Sequence, residues 1–342
     1  MKHLKYIISF GCILLSTCTQ SPAESHPVND VTNDSISRKD TLLQQQIAPT
    51  TPPLTKEEVV IVDSLLYDQH TLKDNYKYQD ISRSFKREVM KDKLALVENM
   101  QESPLPWGVI QNYKNRNGEA PLVRHFNRNK YRRVADSLGT ERYQSAPFYA
   151  LNDTLTPVIY GRDGNLVHIC GETGKFYKIE TIGKESWYIP KRYVLLLAPD
   201  TKFRNVVFVD RKDQNIATLE WAERGKWLIR SKNPATTGRY KPPYASPTPL
   251  GIFLIQEKKQ KMRYLKDGSA ATGGYAPYAS RFTCGAYIHG VPVNVPHTAM
   301  IEYSWSLGTI PRSHMCVRNA TSHAKFIYEW AKTKKSLVIV IE

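Results

Sequence analysis

Ser313-His314-Met315-Cys316-Val317-Arg318 is the stretch on which the reading of this chain turns. A cysteine becomes a strong nucleophile only as the thiolate, and a nearby histidine draws its pKa towards neutrality. His314 stands two residues before Cys316, so an extended backbone puts both side chains on one face. A second histidine ends a predicted strand at Ile288-His289-Gly290 and can reach the same place from a neighbouring strand. Either pairing, as thiolate and imidazolium, suits acyl transfer. Sulfur attacks a carbonyl, the histidine protonates the leaving amine, and an acceptor amine or water resolves the thioester. Backbone N–H groups around Met315 and Cys316 are natural donors to the oxyanion. A metal centre made of His289, His314 and Cys316 would lack a fourth ligand and any signature spacing, so no metal is expected.

Outward from that stretch, residues 203–342 read as a β-rich domain. Asn205 to Asp210, Ile216 to Trp221 and Trp227 to Ser231 are consecutive antiparallel strands, separated by turns at 212–215 and 223–225. Ser246-Pro247-Thr248-Pro249 is a stiff lead-in to a strand over Leu250 to Gln256. Ser322 to Lys332 puts Phe326 with Trp330, and Ile327 with Ala331, on one helical face, and Leu337 to Ile341 is an apolar last strand. Tyr275 and Tyr278, in a Gly-Gly-Tyr-Ala-Pro-Tyr loop, are candidates for a substrate groove, with a plain loop role as the alternative. His297 and His323 read as surface or capping residues.

Upstream, residues 143–200 change to a period of two. Short strands at 158–160, 166–170, 176–179 and 187–190, with Gly-rich turns between them, predict a small barrel. Its ending, Gly183 to Trp187-Tyr188-Ile189-Pro190, resembles bacterial SH3-like domains, and Cys170 is expected there as a buried, inert thiol. Residues 56–142 read as mainly helical. Thr55 and Glu58 form a capping-box signal ahead of Val59, Val62, Leu65 and Leu66, a second helix covers Ile81 to Met100, and a short third one covers Lys130 to Leu138.

The start of the chain reads as an export signal. Lys2 and Lys5 precede an apolar run from Ile7 to Leu15, too short to span a bilayer. It ends in Leu15-Ser16-Thr17-Cys18, which resembles the lipobox of bacterial lipoproteins. The expectation is a signal peptide over 1–17, lipidation at Cys18, and a tether over 18–55 too polar to bury a core. Such a chain is anchored in the cell envelope, at the outer membrane facing the periplasm. Of the five cysteines, Cys170, Cys284 and Cys316 then remain in the folded part, and three cannot all pair. Cys284 reads as a small buried residue. The formal charge of +16 suits an anionic partner. For an exported protein without a zinc-finger or RNA-binding motif that partner is envelope polymer and not nucleic acid.

Together, the His-Gly strand end and the Ser-His-Met-Cys-Val-Arg stretch resemble the L,D-transpeptidase (YkuD) family. That family carries a His-Gly strand end followed by [Ser/Thr]-His-Gly-Cys, a hydrophobic residue and Arg or Asn. The resemblance covers roughly 140 residues and implies an α+β, mostly β architecture for the whole. A helical segment and a small SH3-like barrel precede the catalytic domain. It implies Cys316 as nucleophile and His289 as general base, oriented by a backbone carbonyl near Gly290. His314, Met315 and Cys316 would supply the oxyanion region, and Ser313 and Arg318 would shape the pocket or meet a substrate carboxylate. No cofactor is implied. The substrate implied is a peptidoglycan stem tetrapeptide, whose acyl group passes to another stem in a 3→3 cross-link or to a protein amine. Hydrolysis, as an L,D-carboxypeptidase or endopeptidase, is the alternative within the enzyme class. A non-catalytic wall-binding lipoprotein is the alternative outside it. Two departures stand out: Met315 occupies the family's Gly, and 23 residues separate His289 from Ser313. The insertion, Pro292 to Gly308 with Trp305, is expected as a loop over the cleft.

Overall fold

Val206-Val207-Phe208-Val209 and Leu337-Val338-Ile339-Val340-Ile341 are apolar at every position, the pattern of strands covered on both faces. The computed structural model, which describes residues 51–342, places both at the heart of a six-stranded sheet. Across the sheet the strands run Val60–Asp63, Lys226–Pro234, Asn215–Glu223, Asn205–Asp210, Ser336–Ile341, Gly251–Leu254. The two central strands pair in parallel, with Val206 opposite Leu337 and Phe208 opposite Ile339.

Period-two alternation then sorts side chains between two cores. Val206, Phe208, Leu337 and Ile339 pack beneath helix α1 (Arg87–Glu102), which supplies Met90, Leu94 and Val97. A buried carboxylate fixes the docking of that helix. Glu98 accepts from Trp227 Nε1 at 2.7 Å, Trp221 Nε1 at 3.2 Å and the Gly225 N–H at 3.1 Å. Val207, Val209, Val338 and Val340 face the other way, against Phe282, Ile288, Val317 and Ile327. Those residues belong to a second sheet, ordered Glu257–Leu265, Thr272–Thr283, Ala286–His289, Val317–Arg318, and to helix α2 (Thr321–Trp330). Phe282, Ile288 and Val317 are all buried, each worth roughly 1.5–3 kcal/mol. The strands that carry His289 and Arg318 are thus pinned from behind.

A third sheet, ordered Ser186–Pro190, Phe176–Thr181, Leu166–Thr173, Trp107–Ile110, Val194–Leu196, encloses a small core of Ile110, Val167, Ile179, Ile189 and Tyr193. Trp107–Ile110 comes from the stretch expected to be helical, so this unit draws on sequence before residue 143. The predicted signal peptide, Cys18 and the tether up to residue 50 lie outside the described residues.

Three helix expectations in 56–142 require correction. The first, over Val59 to Leu66, is the edge strand Val60–Asp63, parallel to Lys226–Pro234. Glu58 does accept from the Thr55 N–H at 2.7 Å, but the 3₁₀ turn it closes spans only Lys56–Glu58. Consecutive β-branched residues beside an open sheet edge outweigh a chance helical spacing. The second helix begins at Arg87, because Ile81–Ser84 forms a hairpin with Asn75–Tyr78. The third does not form. Asn129 Oδ1 accepts from the N–H groups of Tyr131 and Arg133, and Asp136 Oδ1 from those of Leu138 and Thr140. These side chains take backbone donors that a helix needs. Cys170 is exposed, not buried, because its strand runs out past the small core after His168.

Candidate active site

Parallel pairing sets Ile288 opposite Val317 and His289 opposite Arg318. Ile288 and Val317 point into the core, so His289 and Arg318 share the opposite face, with Cys316 at the start of its strand. Cys316 is half-buried, and its thiol donates to the Gly285 carbonyl at 3.6 Å. Gly285 lies in the tight turn between Thr272–Thr283 and Ala286–His289. His289 is buried, and its Nδ1 lies 2.6 Å from the Gly290 carbonyl. A carbonyl can only accept, so Nδ1 carries the proton and Nε2 keeps the lone pair. Gly290 is itself required for close approach: a Cβ there would come within 2.7 Å of Thr321 Oγ1 and 2.9 Å of Pro277.

Burial pushes the His289 pKa down to about 4, against the smaller raising effect of its bond to Gly290. Burial likewise raises the Cys316 thiol pKa, partly offset by the Tyr287 N–H and the Arg318 charge. Burial thus favours the neutral form of each group. A neutral imidazole with a free Nε2 can act as a general base.

The Ser313–Cys316 turn is braced from within and beneath. Ser313 Oγ donates to the Cys316 carbonyl at 2.5 Å and accepts from the Met315 N–H at 3.3 Å, so that N–H is already engaged. Thr248 Oγ1 donates to the Met315 carbonyl at 2.7 Å and accepts from the Gly238 N–H at 2.9 Å. A Cβ on Gly238 would lie 2.8 Å from Met315 Cα. Met315 is not among the described residues with positive φ, so the residue in place of glycine sits without left-handed strain. Its side chain packs against the core that holds Val317.

Residues 204–340 match the family model described as the YkuD L,D-transpeptidase catalytic domain. That segment is a YkuD domain. No curated protein matches the chain. Similar solved structures include an L,D-transpeptidase from Mycobacterium smegmatis, 19% identical over 52% of this chain and 82% of that one, with a TM-score of 0.33. One from Mycobacterium tuberculosis is 21% identical over 53% and 92%, with a TM-score of 0.32. A fused Zn-dependent amidase/peptidase/peptidoglycan-binding domain-containing protein from Clostridium acetobutylicum is 17% identical, with a TM-score of 0.29. The match covers 42% of this chain and 54% of that one.

Within the YkuD domain the two candidate histidines separate. His314 is about half exposed and engages Asp267 at 2.9 and 3.1 Å, tying the motif to the turn between Glu257–Leu265 and Thr272–Thr283. Tyr275 and Tyr278 lie on the strand Thr272–Thr283 and not in a loop. The Tyr275 hydroxyl donates to the Thr298 carbonyl at 2.7 Å, and the Tyr278 ring lies 5.9 Å from that of Tyr328 on α2. The insertion is anchored at several points. Thr321 Oγ1 donates to the Ile301 carbonyl, Thr236 Oγ1 to the Ser306 carbonyl, and Arg83 to the Gly308 and Thr309 carbonyls. His297 is exposed. His323, expected at the surface, is buried against Ser231 Oγ at 2.8 Å, with its pKa pushed down to about 3. Cys284 is buried and its thiol pKa is raised to about 11, as suits an inert group.

Sequence reasoning passed over Thr236, Gly238, Arg239 and Arg312. Thr236 and Arg318 exchange backbone bonds at 2.9 Å both ways, and Arg239 and Arg312 follow on the same crossing. Nothing in Thr236-Thr237-Gly238-Arg239 marks it as a site until the turn at 313–316 is seen resting on it. The lead-in at 246–249, by contrast, carries its own signal in Pro247 and Pro249.

Proposed function

We propose that this chain is a peptidoglycan L,D-transpeptidase working through a Cys316 thioester. Cys316 Sγ attacks the carbonyl between stem residues three and four while His289 Nε2 takes the thiol proton. His289 returns that proton to the departing amine, the C–N bond breaks, and the acyl group stays on sulfur. An amine of a second stem then attacks, losing its proton to Nε2, and the thiolate leaves. The product is a 3→3 cross-link, or a protein–wall linkage when the acceptor is a protein amine. The observation that carries this reading is the 2.6 Å contact from His289 Nδ1 to the Gly290 carbonyl. It holds the imidazole in the tautomer that a general base needs, one strand from the Cys316 segment. The motif at Lys2 to Cys18 supports a lipid-anchored enzyme of the cell envelope, facing the periplasm.

The test is incubation of wild type and Cys316→Ala with defined tetrapeptide muropeptides, followed by product masses. Cross-linked dimers from wild type alone support the proposal, and equal product from Cys316→Ala sinks it. Adding and omitting an amine acceptor separates transfer from hydrolysis.

A further inference from the structure

A concavity of about 1050 Å³ opens between residues 119–162, which precede the YkuD domain, and Arg211, Tyr240, the lead-in at 246–250 and Met315 within it. Six arginines line it, Arg128, Arg132, Arg133, Arg142, Arg162 and Arg211, against two carboxylates, Glu119 and Glu141. Glu119 engages Arg142 at 3.4 Å, Glu141 engages Arg133 at 3.3 Å and Arg211 meets Glu342 at 3.3 Å, which leaves Arg128, Arg132 and Arg162 without a carboxylate partner among the described residues. The walls are held in place. Arg133 donates to the Pro243 carbonyl and Arg142 to the Ala120 carbonyl. Buried Asp136 accepts from the N–H groups of Thr140 and Tyr160, each at 2.8 Å, and so ties the segment of Arg128 and Arg132 to the strand of Arg162. The same concavity carries exposed apolar side chains. Tyr240 is 78% exposed and Leu138 72%, and Tyr143 and Leu250 are exposed beside them.

A concave surface of one charge concentrates anions, and clustered apolar side chains left in water mark a contact site. A small anion would leave the tyrosine rings unused, and a neutral sugar would leave the guanidinium forks unused. A charged saccharide uses both, stacking its C–H faces on the rings and setting its anionic groups into the forks. The volume also reaches the top of the ~300–1,000 Å³ usual for small-molecule sites, which suits a short run of a polymer. We propose that this concavity is a docking site for an anionic saccharide chain, read by Arg128, Arg132 and Arg162 and by the ring of Tyr240. Met315 and Cys284 line it too, so a chain held there lies next to the turn that carries Cys316. The site belongs to the part of the protein that precedes the YkuD domain as much as to that domain, and its binding does not depend on the transpeptidase reading.

The test measures binding to the full chain by calorimetry with four probes. Octagalacturonate carries carboxylates, a phosphomannan oligomer carries phosphates, maltooctaose carries no charge, and octaglutamate carries carboxylates without sugar. At least one charged saccharide should bind about tenfold or more tighter than both maltooctaose and octaglutamate, and the tighter of the two names the anionic group. Arg128→Gln with Arg132→Gln should weaken it at least tenfold, and the corresponding double lysine variant, which keeps the charge but loses the forks, should recover part of the loss. Tyr240→Ala should weaken the saccharide several-fold and leave octaglutamate unchanged. Circular dichroism confirms that each variant is folded. Failure of both charged saccharides to bind, equal binding of octaglutamate, or full affinity in the double glutamine variant overturns the proposal. Saccharide binding by a wild type that turns over no muropeptide would sink the transpeptidase reading and leave this site standing.

Discussion

Asp163→Ala tests whether the turn after Ile159–Arg162 holds the Thr272–Thr283 and Ala286–His289 hairpin in place. Asp163 Oδ2 accepts from Arg281 Nη1 at 2.6 Å, Gln256 Nε2 at 3.0 Å and the Cys284 N–H at 3.1 Å. Its Oδ1 accepts from the Asn112 N–H at 2.9 Å, and both charged side chains are almost wholly buried, 1% exposed for Asp163 and 8% for Arg281. Removing one partner of a buried pair costs about 3–5 kcal/mol, because the other charge and its donors are left uncompensated. Arg281 keeps Gln256 Oε1 at 3.2 Å and Glu257 Oε2 at 3.4 Å, which places the expectation near the lower end, about 3 kcal/mol. Against a typical total of about 5–15 kcal/mol this is a large fraction. Urea unfolding followed by tryptophan fluorescence measures it. Adding Arg281→Met removes the orphaned charge and should recover about 1–2 kcal/mol. Because Gly285, one residue past Cys284, presents its carbonyl to Cys316, alkylation of Cys316 should also change in rate. A loss below about 1 kcal/mol for Asp163→Ala, or no recovery in the double variant, would refute the reasoning.

Further outcomes follow from the same structure. Burial holds His289, His168 and His323 at about 4, about 4 and about 3, below the ~6.5 of an exposed histidine. The unfolded chain therefore protonates first, so the stability these residues contribute is full above pH ~6.5 and is lost as pH falls towards 4. Urea midpoints at pH 7, 5.5 and 4.5 should decline, and His323→Gln should flatten that decline; an unchanged slope contradicts the assignment. Cys316 should react with iodoacetamide more slowly than free cysteine at pH 7 and accelerate only above the ordinary thiol range, because burial raises its pKa, and rapid labelling at neutral pH would show a standing thiolate instead. Met315→Gly should destabilise by about 1–3 kcal/mol through lost packing and added backbone freedom, measured by denaturation, since no positive φ is relieved. Glu98→Ala should cost about 2–4 kcal/mol, because it strands the indole N–H groups of Trp221 and Trp227 and the Gly225 amide, and a near-neutral effect would show that the docking of α1 does not depend on them.

The chain's own spacing determined a good part of this protein. Apolar runs at 205–210 and 337–341, alternation at 166–190, and the motifs at 288–290 and 313–318 act through local backbone geometry. A single sequence therefore shows them without partners. Only the tertiary structure decided the rest. Val60-Ile61-Val62 became a strand because a sheet edge at Lys226 offered backbone partners, and Asn129 and Asp136 drew Lys130 to Leu138 into turns. The different settings of His289 and His314, one buried against a carbonyl and the other reaching Asp267, depended on how distant segments pack. The segments of Arg239 and Arg312, far apart along the chain, became neighbours only when their backbones paired, Arg239 with Ser313 and Arg312 with Thr237. Hydrogen bonds and charges between distant segments leave no period in a sequence, whereas burial of a strand or helix face does.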